Sequence, residues 1–327
     1  MSTTTRRAVL RATALLPLAA PALAQTAPFP TRPLRMVVPF APGGITDILA
    51  RAAADGMSRE LGQPVVVENR AGAGGNVGSE AVAKSAPDGY TMLAVGPAVM
   101  GIAKPLFGRL NYNPDADFTC IGLLGGQANV MLVSPRALPE PTLAALVAAA
   151  RAKPGEVAFA SSGSGSLTHL TAELFAKDAG LQMVHIPYRG SPPALADLIS
   201  GQVAMLFDAL TTALPLHQAG QSRIVGVATK DRAAELPDVP SLVEAGFPSL
   251  DVPNWFGVFL PAETPAPALD RLRAALSAVT GSDSYRSLMR ARSAQPVLLG
   301  ERTLDAFLAA ERARWADVVR SSGAQPG

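Results

Sequence analysis

Short apolar runs alternate with segments of helical periodicity along most of this chain. The first run, residues 34–40, is nearly all apolar, which is typical of a strand covered on both faces. A glycine-rich turn follows, and apolar residues then recur from Ile45 to Met57 at the spacing of one buried helix face. This alternation predicts an α/β fold with a mostly parallel sheet.

A similar series of elements begins again in the second half of the chain. A strand, a hydroxyl-rich turn at residues 161–166 and a helix follow one another there. A later strand-like run at residues 255–260 is expected to return to the first lobe. The chain is longer than one hydrophobic core usually supports. We expect lobe 1 to comprise residues 25–127 and 251–327, with the C-terminal helices packed on it, and lobe 2 to comprise residues 128–250.

The N-terminus has the three parts of an export signal. Basic residues Arg6, Arg7 and Arg11 precede an uncharged run that ends in a small-x-small cleavage site at residues 22–24. We therefore interpret residues 1–24 as a signal peptide and expect a periplasmic protein. The adjacent arginines resemble a twin-arginine signal, and an ordinary Sec signal is the alternative.

Removal of this signal leaves a nearly neutral chain. The full sequence has 28 Lys+Arg and 26 Asp+Glu, and loss of the three signal arginines reduces the basic count to 25. Without a concentrated basic field, no nucleic-acid partner is expected. The uncharged stretch at residues 118–135 contains too many glycines and amides for a membrane span.

Cysteine and histidine are too few and too scattered for a disulfide or a metal site. The lone Cys120 excludes an intramolecular disulfide. His169, His185 and His217 are the only histidines, and they do not have the spacing of metal ligands. We expect neither a metal nor a cofactor.

Three strand-to-helix turns are rich in glycine and hydroxyl groups: APGGITD from residue 41, AGAGGNVGS from residue 71 and SSGSGSLTH from residue 161. At a helix N-terminus, unpaired backbone N–H groups and the positive end of the dipole favour an anion. In open α/β sheets such turns lie where ligands bind. For any single turn the glycines could serve only a tight bend, but three such turns together favour an anion site.

Motifs for nucleotide binding and hydrolysis are incomplete. The run GAGGNVG has Val77 where a dinucleotide-binding motif needs its third glycine, and no P-loop motif is present. Ser162 could form a triad with His169 and Asp208, but no G-x-S-x-G elbow surrounds it. A His169 that bonds across the turn from its helix is the better interpretation. An exported α/β enzyme such as a hydrolase remains an alternative class.

Five segments together resemble the tripartite tricarboxylate transporter receptors, also called Bug-type solute receptors. They are VVPFAPGGITDILAR, VVENRAGAGGNVGSEAVAKSAPDGYT, ASSGSGSLTHLTAELF, HIPYRGSPPALADLISGQVAMLFD and WFGVFLPAETP. The resemblance implies a type II periplasmic binding fold, a Venus flytrap of two α/β lobes joined by a hinge. It also implies a monomer that delivers a small organic carboxylate to a tripartite tricarboxylate permease. A sensor that reports to a signalling receptor is a further alternative.

The same resemblance implies which residues hold the ligand, with backbone amides and hydroxyls in place of an arginine. The implied ligand-binding residues are, in the first lobe, Pro42, Gly43, Gly44, Thr46, Asp47, Gly74, Gly75 and Asn76, and, in the second lobe, Ser162, Gly163, Ser166, Thr168, Tyr188 and Asp208. For Asp208, a structural hydrogen bond is an equal alternative. Arg189 could line the cleft or be solvated.

One segment departs from the family pattern. After the strand that ends at Val95, many relatives have hydroxyl residues, whereas this chain has Gly96-Pro97-Ala98-Val99-Met100. This segment predicts a less polar pocket, which favours an aromatic or longer monocarboxylate over a citrate-like ligand. The equal alternative is that Val99 and Met100 only pack in the core.

Replacement of both Arg6 and Arg7 by lysine tests the twin-arginine interpretation. We expect the double variant to remain in the cytoplasm, because the twin-arginine pathway recognises that pair. Immunoblots of periplasmic and cytoplasmic fractions measure the result, and Arg11→Lys is the control outside the pair. Export of the double variant at the wild-type level would mean that the signal is of the Sec type.

Overall fold

The computed structural model describes residues 29–297, 299, 302–322 and 324. The predicted signal peptide therefore lies outside the described residues. The strands are β1 (Leu34–Val38), β2 (Val65–Asn69), β3 (Thr91–Val95), β4 (Phe118–Gln127), β5 (Asn129–Val133), β6 (Ala158–Ser161), β7 (Val184–Pro187), β8 (Met205–Ala209), β9 (Arg223–Val227) and β10 (Asn254–Pro261).

Ten α-helices are seen in the described part of the chain. They are α1 (Ile45–Leu61), α2 (Asn76–Ala83), α3 (Ala103–Phe107), α4 (Leu143–Ala152), α5 (Leu167–Ala179), α6 (Ser191–Ser200), α7 (Leu210–Gln218), α8 (Ala266–Thr280), α9 (Asp283–Ala291) and α10 (Leu304–Ser322). A π-helical turn, Ala98–Ile102, leads directly into α3. None of these helices combines the length and apolar character that a membrane span requires.

The strands form two five-stranded sheets. Sheet A has the order β2-β1-β3-β10-β4, and sheet B has the order β7-β6-β8-β5-β9. We call sheet A with its helices the first lobe and sheet B with its helices the second lobe. This two-lobed α/β architecture is the fold class that the sequence predicts.

Each sheet is mostly parallel, as predicted, with four strands in one direction and one strand in the opposite direction. β1 pairs in parallel with β2 and β3, whereas β10 runs antiparallel to β3 and β4. In sheet B, β5 likewise runs antiparallel to β8 and β9. The reason is that β5 and β10 each arrive from the other sheet instead of through a crossover helix, so their direction is opposite to that of their neighbours.

The uncharged stretch at residues 118–135 becomes β4 and β5. Its glycines and amides, which exclude a membrane span, lie where the chain passes from sheet A to sheet B at Ala128. Sequence periodicity assigned no element to this stretch, because neither strict alternation nor a helical spacing is present in it.

Helix α1 shows why the first lobe holds together. Leu49, Ala53 and Met57 are spaced on one face and are fully buried against β1 and α8. The helix ends at Gly62, which adopts φ 68°, a left-handed conformation that glycine reaches without strain. The start of α1 is thereby held against the carboxyl end of β1, where the candidate site lies.

The C-terminal helix α10 contacts both lobes, which differs from the expectation that it packs on the first lobe alone. Phe307 is buried with Trp255 of β10. Further along α10, Trp315 is fully buried in a cluster that includes Leu106 of α3 and Leu170 of α5. A helix of this length presents an apolar face longer than one lobe covers, so its second half lies over the junction of the lobes.

Trp315→Ala tests how much this contact stabilises the protein. We expect the free energy of unfolding to fall by about 3–5 kcal/mol, because truncation of a buried aromatic side chain leaves a cavity. Urea unfolding measures the change. The control is Asp317→Ala on the exposed side of the same helix, with an effect within about 0.5 kcal/mol. A loss below about 1 kcal/mol for Trp315→Ala would contradict this view of α10.

Candidate functional site

A cavity lies between the two lobes where the strand ends and helix starts of both sheets meet. We call it the cleft cavity. It has a volume of about 60 Å³, several times the space that one water molecule requires, so it suits a small solute. It is lined by Phe40, Gly44, Ile45, Thr46, Gly96, Pro97, Ala98, Asn129, Ser162, Ser166, Leu167, Thr168, Ser191, Asp208, Ala209, Asn254 and Phe256.

The start of α1 borders the cavity from the first lobe. Gly44 is the N-cap, and no side chain caps this helix end. Gly44, Ile45 and Thr46 all line the cavity and are buried. The first N–H groups of any α-helix lack intrahelical partners and carry the positive end of its dipole. This helix end therefore offers backbone donors to an anion.

The start of α5 borders the cavity from the second lobe. Ser166 caps the helix by accepting a hydrogen bond from the His169 N–H at 3.2 Å. Ser166, Leu167 and Thr168 line the cavity. The hydroxyl of Thr168 lies 3.0 Å from those of both Ser162 and Ser166. A second helix N-terminus, with a cluster of hydroxyl groups beside it, thus lies across the cavity from α1.

Within the preceding turn, most backbone N–H groups already have protein partners. Ser162 donates to Thr168 Oγ1 at 2.9 Å, and Gly163 donates to Ser161 Oγ at 3.1 Å. Gly165 donates to His169 Nδ1 at 3.2 Å. The donors that remain for an anion are those of the first turn of α5 and the nearby hydroxyls.

Two stacked histidines support this turn from behind. The rings of His169 and His185 lie 3.9 Å apart, and Phe159 stacks on His185 at 5.0 Å. His185 Nε2 lies 2.6 Å from Ser161 Oγ. Burial and the neighbouring His169 lower the pKa of His185 to about 3. A neutral imidazole is therefore held under the turn.

Asp47 holds the first-lobe turn and does not line the cavity. Its carboxylate accepts hydrogen bonds from the Gly43 N–H at 3.0 Å, from Asn69 Nδ2 at 2.9 Å and from Arg51. Burial alone would raise the pKa of Asp47, but the hydrogen bonds from Arg51, Gly43 and Asn69 outweigh it and hold the pKa below its ordinary value. Arg51 is thereby occupied by Asp47 rather than by a ligand.

Asp208, at the end of β8, is the only residue with an ionisable side chain among the described residues that line the cavity. Its carboxylate accepts hydrogen bonds from Ser191 Oγ at 2.6 Å and Thr212 Oγ1 at 2.7 Å. Burial raises the pKa of Asp208, although these hydrogen bonds partly oppose the shift. Among the residues that the structure describes, no cationic side chain lines the cavity.

The turn before α6 brings a hydroxyl group to Asp208. Gly190 is the N-cap of α6, and Ser191 is its first helical residue. The hydroxyl of Ser191 donates to Asp208 instead of capping its own helix. Gly201 ends the helix in a left-handed conformation.

Asn129 is a cavity residue that sequence reasoning missed. It is fully buried at the first position of β5, directly after the crossing between the sheets. Within the described part of the chain, neither its Nδ2 nor its Oδ1 has a hydrogen-bond partner. Asn254, the first residue of β10 at the other crossing, also lines the cavity. An amide that begins an otherwise apolar strand, NVMLV, was the available signal.

The structure brings together some of the sequence-predicted residues and leaves others outside the cavity. The predicted residues that line it are Gly44, Thr46, Ser162, Ser166, Thr168 and Asp208. Those that do not line it are Pro42, Gly43, Asp47, Gly74, Gly75, Asn76, Gly163 and Tyr188. Within this second group, Gly43, Gly74 and Gly163 lie close to residues of the opposite lobe.

The residues outside the cavity have other partners. Asn76 accepts a hydrogen bond from the Tyr112 hydroxyl at 2.5 Å, and Tyr188 donates to Asp197 at 2.5 Å. Arg189 is exposed, and its carbonyl accepts from the Ala41 N–H of the first lobe at 3.1 Å.

Close approach of the two lobes explains why residue 74 is a glycine. An added Cβ there would lie 2.1 Å from the Ser164 carbonyl oxygen of the second lobe, and Gly74 has φ 63°. A side chain would therefore be strained and would separate the lobes. Together with the Ala41 contact, this approach shows that the lobes are closed on one another in this structure.

The segment after β3 divides between the cavity and the core. Gly96, Pro97 and Ala98 line the cavity, so part of its wall lacks hydroxyl groups. Val99 and Met100 are buried in the hydrophobic core of the first lobe, as the alternative interpretation of these two residues held.

The residues of the suggested hydrolase triad are not assembled. His169 receives the Gly165 N–H on Nδ1 and directs Nε2 to Glu173 Oε1 at 3.5 Å. The Ser162 hydroxyl contacts Thr168, and Asp208 accepts from other hydroxyls. His169 thus bonds across the turn, as the sequence predicted. In the described residues, no group of His, Cys, Asp and Glu has metal-binding geometry.

Comparison with known proteins identifies similar chains. The pattern of the tripartite tricarboxylate transporter family receptors matches residues 49–324. The chain is 38% identical over 309 residues to protein BugT of Bordetella pertussis, covering 94% of each. It resembles MatC of Rhodopseudomonas palustris with bound malate (TM-score 0.84, 33% identity, 89% of this chain and 100% of MatC). A second R. palustris protein, with adipate, gives TM-score 0.84 and 35% identity over 90% of this chain and 98% of that protein.

Asp47→Asn tests the anchor of the first-lobe turn. The folded pKa of Asp47 lies below its ordinary value of 3.8, so its carboxylate stabilises the fold above that pH, and this contribution is lost as the pH falls through the folded pKa. We expect the variant to lose about 1–3 kcal/mol at neutral pH and to depend less on pH in the acid range. Urea unfolding across that range measures both effects.

Asp55→Asn is the matched control, because Asp55 is on the same helix with an exposed side chain. It should stay within about 0.5 kcal/mol of the wild type. An equal effect of the two substitutions, or no effect of Asp47→Asn, would contradict the role of Asp47 as an anchor.

Proposed function

The chain belongs to the tripartite tricarboxylate transporter receptor family, and from this premise we propose that it is a periplasmic solute-binding receptor for a small carboxylate. The ligand is enclosed between the lobes and is not turned over. Two observations argue against the alternative of an exported hydrolase. The family consists of receptors, and Ser162, His169 and Asp208 do not form a catalytic triad.

The observation that carries this proposal is the pair of helix N-termini that face the cleft cavity. The starts of α1 and α5 supply backbone donors and positive dipole ends from opposite lobes. Because no cationic side chain of the described ranges lines the cavity, an anion here is held by dipoles and hydrogen bonds. A ligand that contacts both helix ends favours the closed state by its differential affinity.

The ligands of the relatives support a carboxylate. MatC holds malate, and the second R. palustris protein holds adipate. Both are small acids that a cavity of this size and donor set suits. The wall formed by Gly96, Pro97 and Ala98 adds apolar surface, which favours a ligand with an aliphatic segment over one that is polar all round.

The finer assignments are also part of the proposal. The receptor is a monomer that is exported by its N-terminal signal and delivers the ligand to a tripartite tricarboxylate membrane permease. Lobe 1 comprises residues 25–127 and 251–327, and lobe 2 comprises residues 128–250. The passage of the chain between the sheets after β4 and before β10 supports these boundaries.

The residues that hold the carboxylate are proposed on the same basis. Gly44 and Thr46 on one side, with Ser162, Ser166 and Thr168 on the other, form the anion site. Asp208 lies beside it. The remaining residues of the predicted set, such as Asp47 and Gly74, support the walls and the closed contact.

Gly44→Val is the sharpest test of this anion site. The position has φ −74° and ψ 167°, which any residue adopts, and an added Cβ would meet nothing nearer than the Ala41 carbonyl oxygen at 3.9 Å. The variant should fold, yet its side chain should block approach to the start of α1. We expect calorimetry with the best-bound acid to show a loss of about 100-fold or more, equal to about 2.7 kcal/mol.

Two further variants make this test selective. Ser162→Ala should cost about 1–3 kcal/mol of binding free energy, because one buried partner of the ligand is lost. Arg189→Ala should bind as the wild type does, since its side chain is exposed. Each variant is first checked for a cooperative melt. Abolished binding in Arg189→Ala together with full binding by folded Gly44→Val would refute the proposed anion site.

A further inference from the structure

Asn129 is a buried amide without protein partners in the wall of the cleft cavity. Its side chain is fully buried, and within the described residues both Nδ2 and Oδ1 lack hydrogen-bond partners. An unpaired buried polar atom destabilises a protein, and native structures keep such atoms rarely. An amide with two such atoms at a binding cavity therefore points to a ligand that pairs with them.

The strand register determines on which face of sheet B the Asn129 side chain lies. The register pairs Asn129 with Ala209 and Val130 with Asp208. Because neighbouring side chains of a strand point to opposite faces, the Asn129 and Asp208 side chains leave sheet B on opposite faces. Asn129 is on the face that α5 covers, with Met131 and Phe207. The amide therefore lies on the same side of the sheet as the proposed anion site.

To pair with both unpaired atoms of the Asn129 amide, a ligand must present a hydrogen-bond donor and an acceptor side by side. A simple carboxylate offers only acceptors, so it can pair with Nδ2 but leaves Oδ1 unpaired. A 2-hydroxy carboxylate offers both, because its hydroxyl donates to Oδ1 while a carboxylate oxygen accepts from Nδ2.

We propose that Asn129 is a specificity-determining residue, which selects carboxylates that carry a hydroxyl group next to the carboxylate over their deoxy analogues. This inference rests on the proposed function, since it assigns a ligand class to the same cleft. Recognition of a hydroxyl by buried polar groups discriminates strongly, because the analogue without it leaves those groups unpaired.

Matched pairs of acids test the proposal: lactate against propionate, malate against succinate, and 2-hydroxyadipate against adipate, with both enantiomers of each hydroxy acid. Calorimetry measures their affinities for the wild type and for Asn129→Leu, which has a similar volume without polar atoms. In the pair that binds best, we expect the wild type to prefer the hydroxy acid by about 10- to 100-fold. In Asn129→Leu, the preference should fall to within about threefold.

Stability without ligand gives an independent measurement. We expect Asn129→Leu to melt at or above the wild-type temperature, because two buried unpaired atoms are removed. Ser134→Ala is the matched control at the far end of the same strand region. Ser134 is fully buried and its hydroxyl accepts from the Ala137 N–H at 3.3 Å, so this variant should melt lower and keep the hydroxyl preference.

The possible outcomes separate this proposal from the proposed function. Equal binding of both members of a pair by the wild type, or an unchanged preference in Asn129→Leu, would overturn the role of Asn129 and leave the carboxylate receptor intact. A melting temperature of Asn129→Leu below that of Ser134→Ala would show a structural amide and would overturn it as well. If no acid bound to the wild type, the proposed function would fail and the inference with it.

Discussion

The unpaired N–H groups at the starts of α1 and α5 are the constraint on which the rest of the site depends. An α-helix leaves its first donors without intrahelical partners, and burial of such donors is costly unless something accepts from them. Here two helix starts are buried in one cleft between the lobes. In the proposed mode of binding, a small anion accepts from both helix starts at once, which links capture of the ligand to closure of the lobes.

Several charged and aromatic groups serve this geometry without contacting the cavity. Asp47 fixes the turn before α1 through Gly43, and it occupies Arg51 in doing so. In the second lobe, His169 and His185 fix the turn before α5, since His169 Nδ1 accepts from the Gly165 N–H and His185 Nε2 lies beside the Ser161 hydroxyl. Because Arg51 is paired with Asp47 in this network, the proposed anion site consists of neutral donors.

Much of the fold and part of the site could be predicted from the sequence. The strand at β1, the helices α1, α5 and α8, and the glycine-rich turns between them follow local rules of periodicity and capping. Asn129 was missed, because the amide at the start of an apolar strand is a local signal that does not by itself tell which cavity the residue lines. The position of α10 across both lobes was also missed, since the length of an apolar face does not tell which core covers it.

The sequence by itself predicted the two-lobed α/β class and the turns that open helices, because the patterns that indicate them lie in contiguous residues. Only the tertiary structure decided which residues of those turns reach the cleft. Gly44 and Thr46 line it while Asp47 is turned away to Arg51, although all three lie within one helical turn. The helix start fixes the direction of each side chain, and packing between strands distant in sequence brings Asn129 and Asp208 to the same cavity.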